Sequence, residues 1–128
     1  MKIIYAVCLL FIGIKASDDI KINNLIWEDK PQNALYPMSF KRALNYCNAL
    51  EHEKSKGWRI PTSNEMMLIT ETKRIPTIKA TFNYSNVGCY WSYTNHKAQS
   101  VNFKEATITD SIKYIDQECF VRCVKNIK

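Results

Sequence analysis

The chain is predicted to fold as a single α+β domain with a mainly antiparallel sheet. Three observations carry this. Helical periodicity is confined to the first half and strand-like segments to the last third. The 128 residues suit one compact domain, with 46% hydrophobic, 23% charged, three glycines and four prolines. Five cysteines are many for this length and mark a covalently braced fold once the compartment is settled. No heptad pattern, internal repeat or low-complexity stretch interrupts this reading.

Residues 1–16 are set apart as a secretory signal peptide. Met1-Lys2 is a short basic start and Ile3 to Ile14 an apolar run broken only by Gly13, followed by Lys15-Ala16 and the acidic Asp18-Asp19. The run falls short of the roughly 20 residues a membrane span needs. Cleavage after Ala16 leaves residues 17–128 as one domain with 16 basic and 12 acidic side chains, a formal charge of +4. Periplasmic or secreted localisation follows, with no stable membrane span after cleavage. Cleavage also removes Cys8. Cys47, Cys89, Cys119 and Cys123 remain, an even set in an oxidising compartment, which reads as disulfides. Metal ligation is disfavoured, because no C-x-x-C pair occurs and His52 and His96 have no ligand-like spacing to the cysteines.

Along the domain, Asn23 to Glu28 reads as a first strand and Asp29 to Pro37 as a loop. Ser39 caps a helix whose apolar positions, Phe40, Ala43, Leu44, Cys47 and Leu50, recur at three and four residues. This helix is expected to end between Lys54 and Gly57. Trp58 to Pro61 is an extended crossing segment, since the residue before proline disfavours helix. Thr62 and Glu65 form a capping box that starts a short, buried second helix through Met66 to Ile69. Thr77 to Val87 reads as a long surface loop. Cys89 to Thr94 and Ala98 to Phe103 are strands joined by a turn at Asn95-His96-Lys97, and Glu118 to Lys125 is the last strand.

The terminal strand restricts the cysteine pairing. At about 3.3 Å per residue, Cys119 and Cys123 lie roughly 13 Å apart, whereas bridged Cα atoms lie within about 7 Å. Two connectivities survive: Cys47–Cys123 with Cys89–Cys119, or Cys47–Cys119 with Cys89–Cys123.

The order of motifs is also distinctive. L-I-W-E-D (25–29), A-L-N-Y-C-N-A-L (43–50), G-W-R-I-P-T-S-N-E-M (57–66), Y-W-S-Y-T (90–94), V-N-F (101–103) and F-V-R-C-V-K (120–125) follow one another. This series resembles the C-terminal domain of the Lcl collagen-like adhesins, a bacterial family of unknown function, from about Asn23 to Lys125. The resemblance implies a C-type-lectin-like fold, related to sulfatase-modifying folds, with two helices flanking a twisted antiparallel sheet with long loops. It favours Cys47–Cys123 with Cys89–Cys119. Trp27, Trp58, Arg59, Pro61, Glu65, Trp91 and Arg122 are its motif positions here.

For most of these residues the structural role outweighs a binding role. The three tryptophans read as core before they read as a sugar-stacking platform. Arg59 is expected to pair with Glu65 or stack on Trp91 rather than face a ligand. Calcium-dependent sugar binding lacks its carboxylates around Trp91, and no E-P-N, Q-P-D or W-N-D triplet is present. With four cysteines oxidised no thiolate remains for sulfatase-modifying chemistry. His96 reads as a surface turn residue, and the paired carboxylates Glu51/Glu53 and Asp18/Asp19 as solvated. No metal or cofactor is expected, and no catalytic residue. Export and the absence of a recognition motif argue against nucleic acid.

The basic residues Lys54, Lys56, Lys73, Arg74 and Lys79 lie around the helix ends and the following loop. Together they offer a patch for polyanions, against the simpler reading of a solvated face balanced by Glu51, Glu53 and Glu71. The expected function is an exported, non-enzymatic binding module for a glycan or anionic envelope polymer. The alternative is an accessory protein docking on another envelope protein.

Overall fold

The computed structural model describes residues 19–50, 56–110 and 117–127. The leader expected at 1–16 lies outside them, as do Lys54, Glu51, Glu53 and His52. Within them the chain is α+β, built on two three-stranded antiparallel sheets.

The first sheet opens with a hairpin. Strand β1 (Asp19–Ile22) pairs with β2 (Leu25–Glu28) through Ile22↔Leu25, and Asn23 and Asn24 take φ of 55° and 61°. Two consecutive left-handed residues make the tight turn that matches strand twist, and asparagine tolerates that conformation better than most side chains. The expected strand from Asn23 is therefore a turn followed by a shorter strand, and β1 was not foreseen. On its other side β2 pairs with β6 (Val124–Asn126), and Arg59 bridges Val124 in turn.

The segment expected as a loop, Asp29 to Pro37, contains a one-turn helix, α1 (Gln32–Leu35). Local signals alone do not sustain four residues of helix. It is held by Asn33, whose side chain donates to Glu28 Oε1 at 2.8 Å and to the Val121 carbonyl at 3.0 Å.

Helix α2 (Phe40–Ala49) starts where expected, with the Ser39 hydroxyl accepting from Arg42 N–H. Its end differs: Leu50 is already extended, with ψ of 125°, several residues before Gly57. The apolar stripe that drives the helix against the core stops at Leu50, where the helix ends. Helix α3 (Ser63–Leu68) carries both halves of the expected capping box, Glu65 N–H to Thr62 Oγ1 and Thr62 N–H to Glu65 Oε1. Met66 and Ile69 are buried, but Leu68 is exposed, so one side of this turn faces solvent.

The second sheet is β3 (Cys89–Thr94), β4 (Lys97–Asn102) and β5 (Thr107–Asp110), in that order. Asn95 and His96 form the two-residue turn at φ of 52° and 63°. The edge strand β5 is exposed at every position, and without a buried face it leaves no alternating pattern to read. Alternation along β3 sends Tyr90 and Trp91 into different apolar clusters. One cluster holds Trp27, Met66, Tyr90 and Phe103. The other holds Trp58, Trp91 and the Cys47–Cys123 bridge.

The expected last strand, 118–125, is broken. Cys119 bridges Met38, Phe120 bridges Tyr90 in parallel, and regular pairing resumes only at Val124. Val121, Arg122 and Cys123 between them are fully enclosed. The segment thus leaves the β3 edge and joins β2, stitching one sheet to the other.

Two disulfides complete the frame. Cys47–Cys123 joins α2 to this stitching segment with Cα atoms 5.6 Å apart, and Cys89–Cys119 joins β3 to it at 5.1 Å. Of the two connectivities that geometry left open, the one implied by the family resemblance is present.

Candidate functional site

The most elaborate local construction is the irregular segment between α3 and β3. It is closed first at a neck. Thr70 bridges Ile78, Glu71 N–H donates to Thr77 O at 2.9 Å, and Lys79 N–H donates to Ile69 O at 2.9 Å. Thr77 donates both its N–H and its hydroxyl to the Phe103 carbonyl, at 2.7 and 2.8 Å. Ile78 in the neck and Phe82 beyond it both enter the core. The expectation of a plain surface loop over Thr77 to Val87 needs correction here, because Thr77, Ile78 and Phe82 are buried anchors.

The second half is held by charge. The Asp29 carboxylate accepts the N–H groups of Asn83 and Tyr84 at 2.9 and 3.1 Å. Arg122 stands against the same carboxylate at 3.3 Å, with both side chains fully buried. Its guanidinium also donates to the carbonyls of Glu28 and Tyr84 and to Ser85 Oγ. It lies 4.4 Å from the centre of the Phe82 ring. Burial pulls the Arg122 pKa down from the usual arginine value, and neighbouring Tyr90, Asp29 and Glu28 oppose that pull. A buried cation is tolerated only when paired and hydrogen-bonded; these partners serve both terminal nitrogens of Arg122, while its Nε is buried without a partner.

Around this pair lies a second ring of bonds. Tyr90 donates its hydroxyl to Asn33 O at 2.6 Å and accepts Asn86 N–H at 3.0 Å, and the Asn86 amide donates to Ala34 O. Burial raises the Tyr90 pKa, so the hydroxyl stays protonated as a donor. Glu28 is fully buried and accepts from Tyr46 OH, the Asn33 amide and Cys123 N–H. Desolvation and then Glu28 itself hold the Tyr46 phenol well above its ordinary pKa.

The segment is therefore anchored at its neck, over Thr70, Glu71 and Thr77 to Lys79, and again over Phe82 to Asn86, with several side chains left outward between these anchors. Lys73, Arg74, Ile75, Tyr84 and Val87 are exposed, and Lys79 is half-buried. Arg74 is partly oriented, its Nε–H donating to Ile78 O at 3.1 Å across the neck. Of the five predicted patch cations, three belong to this segment. Lys56 lies elsewhere, exposed beside Gly57, whose α-carbon faces the Lys125 side chain, and Lys54 is outside the described residues.

The motif residues take structural places. Trp27, Trp58 and Trp91 are 0%, 4% and 2% exposed, which removes them as a stacking platform. Trp91 donates its indole N–H to Met38 O at 2.7 Å. Arg59 makes a two-pronged bond to Glu65, both contacts 2.8 Å, and donates to Asn126 Oδ1 at 2.7 Å. It ties the first turn of α3 to β6. Pro61 is buried, and its carbonyl accepts Tyr93 N–H at 2.9 Å. All four cysteines of the domain are consumed in bridges.

Sequence reasoning singled out Arg122 but missed its partners Glu28, Asp29, Tyr84 and Ser85, and the Asn33 and Tyr46 side chains that donate to Glu28. Two signals were present: an arginine inside the apolar run F-V-R-C-V, and two acids directly after the apolar strand L-I-W. An ionisable residue inside a buried strand demands a buried counter-charge.

A family model described as the Lcl C-terminal domain matches residues 19–125, from the first residue of β1 into β6. No curated protein and no solved structure matched the chain. The resemblance carried by the ordered motifs is thus borne out over all but the two ends of the sequence, and the chain belongs to the Lcl C-terminal domain family.

Proposed function

We propose that this domain is an exported, non-enzymatic binding module of C-type-lectin-like architecture, which holds an anionic glycan or envelope polymer on the loop between α3 and β3. One observation carries the reading: the loop is closed at the Thr70–Ile78 neck, with Thr77 tied to Phe103 O, and exposes Lys73 and Arg74 beyond it, while a fully buried ion pair holds its second half. Fixing a loop in advance lowers the ordering cost of binding, and cations on it attract polyanions. Two disulfides support an oxidising compartment. Oxidation of all four cysteines leaves the domain no thiolate for nucleophilic chemistry.

Retention on a heparin column is the test. The protein is expected to bind at low salt, to elute as salt rises, and to elute earlier when Lys73→Glu and Arg74→Glu are combined. Flow-through of the unaltered protein at low salt refutes the proposal.

A second reading, docking on another envelope protein, is favoured by a separate observation. Leu35 and Tyr36, each 61% exposed, lie at the C-terminal end of α1, and the Asn86–Ala34 bond brings Val87 and Tyr84 to the same region. Exposed apolar clusters of this kind mark protein contacts. A stoichiometric partner lost on Tyr36→Ser, without polymer binding, supports this second reading against the first.

A further inference from the structure

The tip of the same loop has a chemistry that polymer binding leaves unused. Its neck is closed by the Thr70–Ile78 bridge and the Glu71–Thr77 hydrogen bond, so residues 72–76 project as a short tip. At that tip Ile75 is 78% exposed, more than any other large apolar side chain described, and Lys73 and Arg74 directly precede it. Leu68, 43% exposed at the end of α3, adds an apolar side chain at the loop's base, and Lys79 follows the neck. Among the described residues neither Lys73 nor Lys79 is ion-paired. A lone exposed isoleucine requires no explanation. One carried between cations on a backbone pinned by buried anchors matches the requirements of a charged interface with an apolar layer beneath it.

We infer that this loop seats the domain on an anionic lipid surface, with Lys73, Arg74 and Lys79 at the headgroups and Ile75 entering the acyl boundary. The inference rests on the proposed reading in so far as both use the loop's cations. It differs in what it asks of Ile75, because a hydrated polysaccharide gains little from an apolar tip, whereas a bilayer buries it. The attraction is charge complementarity, worth about fivefold in affinity for each cation near an anionic leaflet. Burial of the isoleucine adds about tenfold or more. The docking is weak and reversible, as suits a peripheral contact.

The experiment is co-sedimentation of the disulfide-bonded, exported protein with vesicles of phosphatidylglycerol mixed with phosphatidylcholine, alongside vesicles of phosphatidylcholine alone and a heparin column. The expected result is binding to the anionic vesicles only, weakening with salt. Lys73→Glu with Arg74→Glu reduces it at least twenty-fold and Ile75→Ser about tenfold, while Ile75→Ser leaves heparin retention unchanged. Lys104→Glu, a charge reversal on the turn between β4 and β5, binds vesicles nearly as the unaltered protein does. Should Ile75→Ser bind vesicles undiminished, or Lys104→Glu lose as much as the loop reversals, the inference is overturned. Heparin retention without vesicle binding overturns it and leaves the polymer reading standing. Loss of heparin retention with vesicle binding intact does the reverse, and failure of both removes both.

Discussion

Replacing Arg122 with methionine tests the claim that one buried cation organises the loop. Methionine roughly preserves the length and apolar stem of arginine but removes every donor. Asp29 keeps its bonds from Asn83 and Tyr84 yet loses its cation, the buried Glu28 carbonyl loses its donor, and the part-buried Tyr84 carbonyl loses one too. Breaking a buried pair from one side costs about 3–5 kcal/mol, against a total of about 5–15 kcal/mol for a domain of this kind. Arg59→Met is the internal control. That pair is 36% and 20% exposed, so its loss costs about 1 kcal/mol or less. In urea, with a slope of about 1–2 kcal/mol per molar, Arg122→Met moves the midpoint down by about 1.5–5 M, and Arg59→Met by about 1 M or less. Hydrogen exchange at the Asn83 and Tyr84 amides accelerates in Arg122→Met before global unfolding. Adding Asp29→Asn recovers part of the loss, because the uncompensated charge is gone. If Arg122→Met is no more destabilising than Arg59→Met, the buried pair does not hold the loop and the reasoning fails.

Further expectations concern the rest of the frame. Tyr46→Phe removes a donor to the buried Glu28 carboxylate and costs about 1.5–3 kcal/mol by chemical denaturation; a neutral result refutes that role. Chain-entropy arithmetic assigns about 4.5 kcal/mol to Cys47–Cys123, spanning 76 residues, and about 3.7 kcal/mol to Cys89–Cys119, spanning 30. Because the loops are nested, removal of the inner pair costs less than its separate value, which thermal melts of the two paired serine variants measure. A peptide mass map that links Cys47 to Cys119 contradicts the fold outright. Finally, burial pushes the Glu65 carboxyl upward, but hydrogen bonds from Arg59 and from Thr62 N–H outweigh it and leave the pKa below 4.5. A depressed folded-state pKa contributes stability above the unfolded value and loses it as pH falls through the folded one. The acid limb of stability therefore flattens in Glu65→Gln, and an unchanged limb argues against the pairing.

What could be read without coordinates was whatever acts over a few residues. Ser39 and the stripe from Phe40 to Leu50 marked α2, Thr62 and Glu65 marked α3, and Pro61 marked the extended segment before it. Cys89 to Thr94 was legible as a strand because its aromatic run is flanked by turn residues, and motif order was enough to place the family. Spacing also excluded a Cys119–Cys123 bridge. Everything that depends on distant partners was decided by tertiary structure. β5 exists only because β4 offers it an edge, and α1 because Asn33 reaches Glu28 and Val121. Residues 118–125 break their strand because they serve two sheets at once. The exchange between Arg122 and Asp29 joins residues 93 apart in sequence. Such a pairing leaves no local periodicity, and its only trace is a charge in an apolar run. Periodicity and capping belong to the chain itself, whereas a buried charge is tolerated only where the completed fold brings its partner to it.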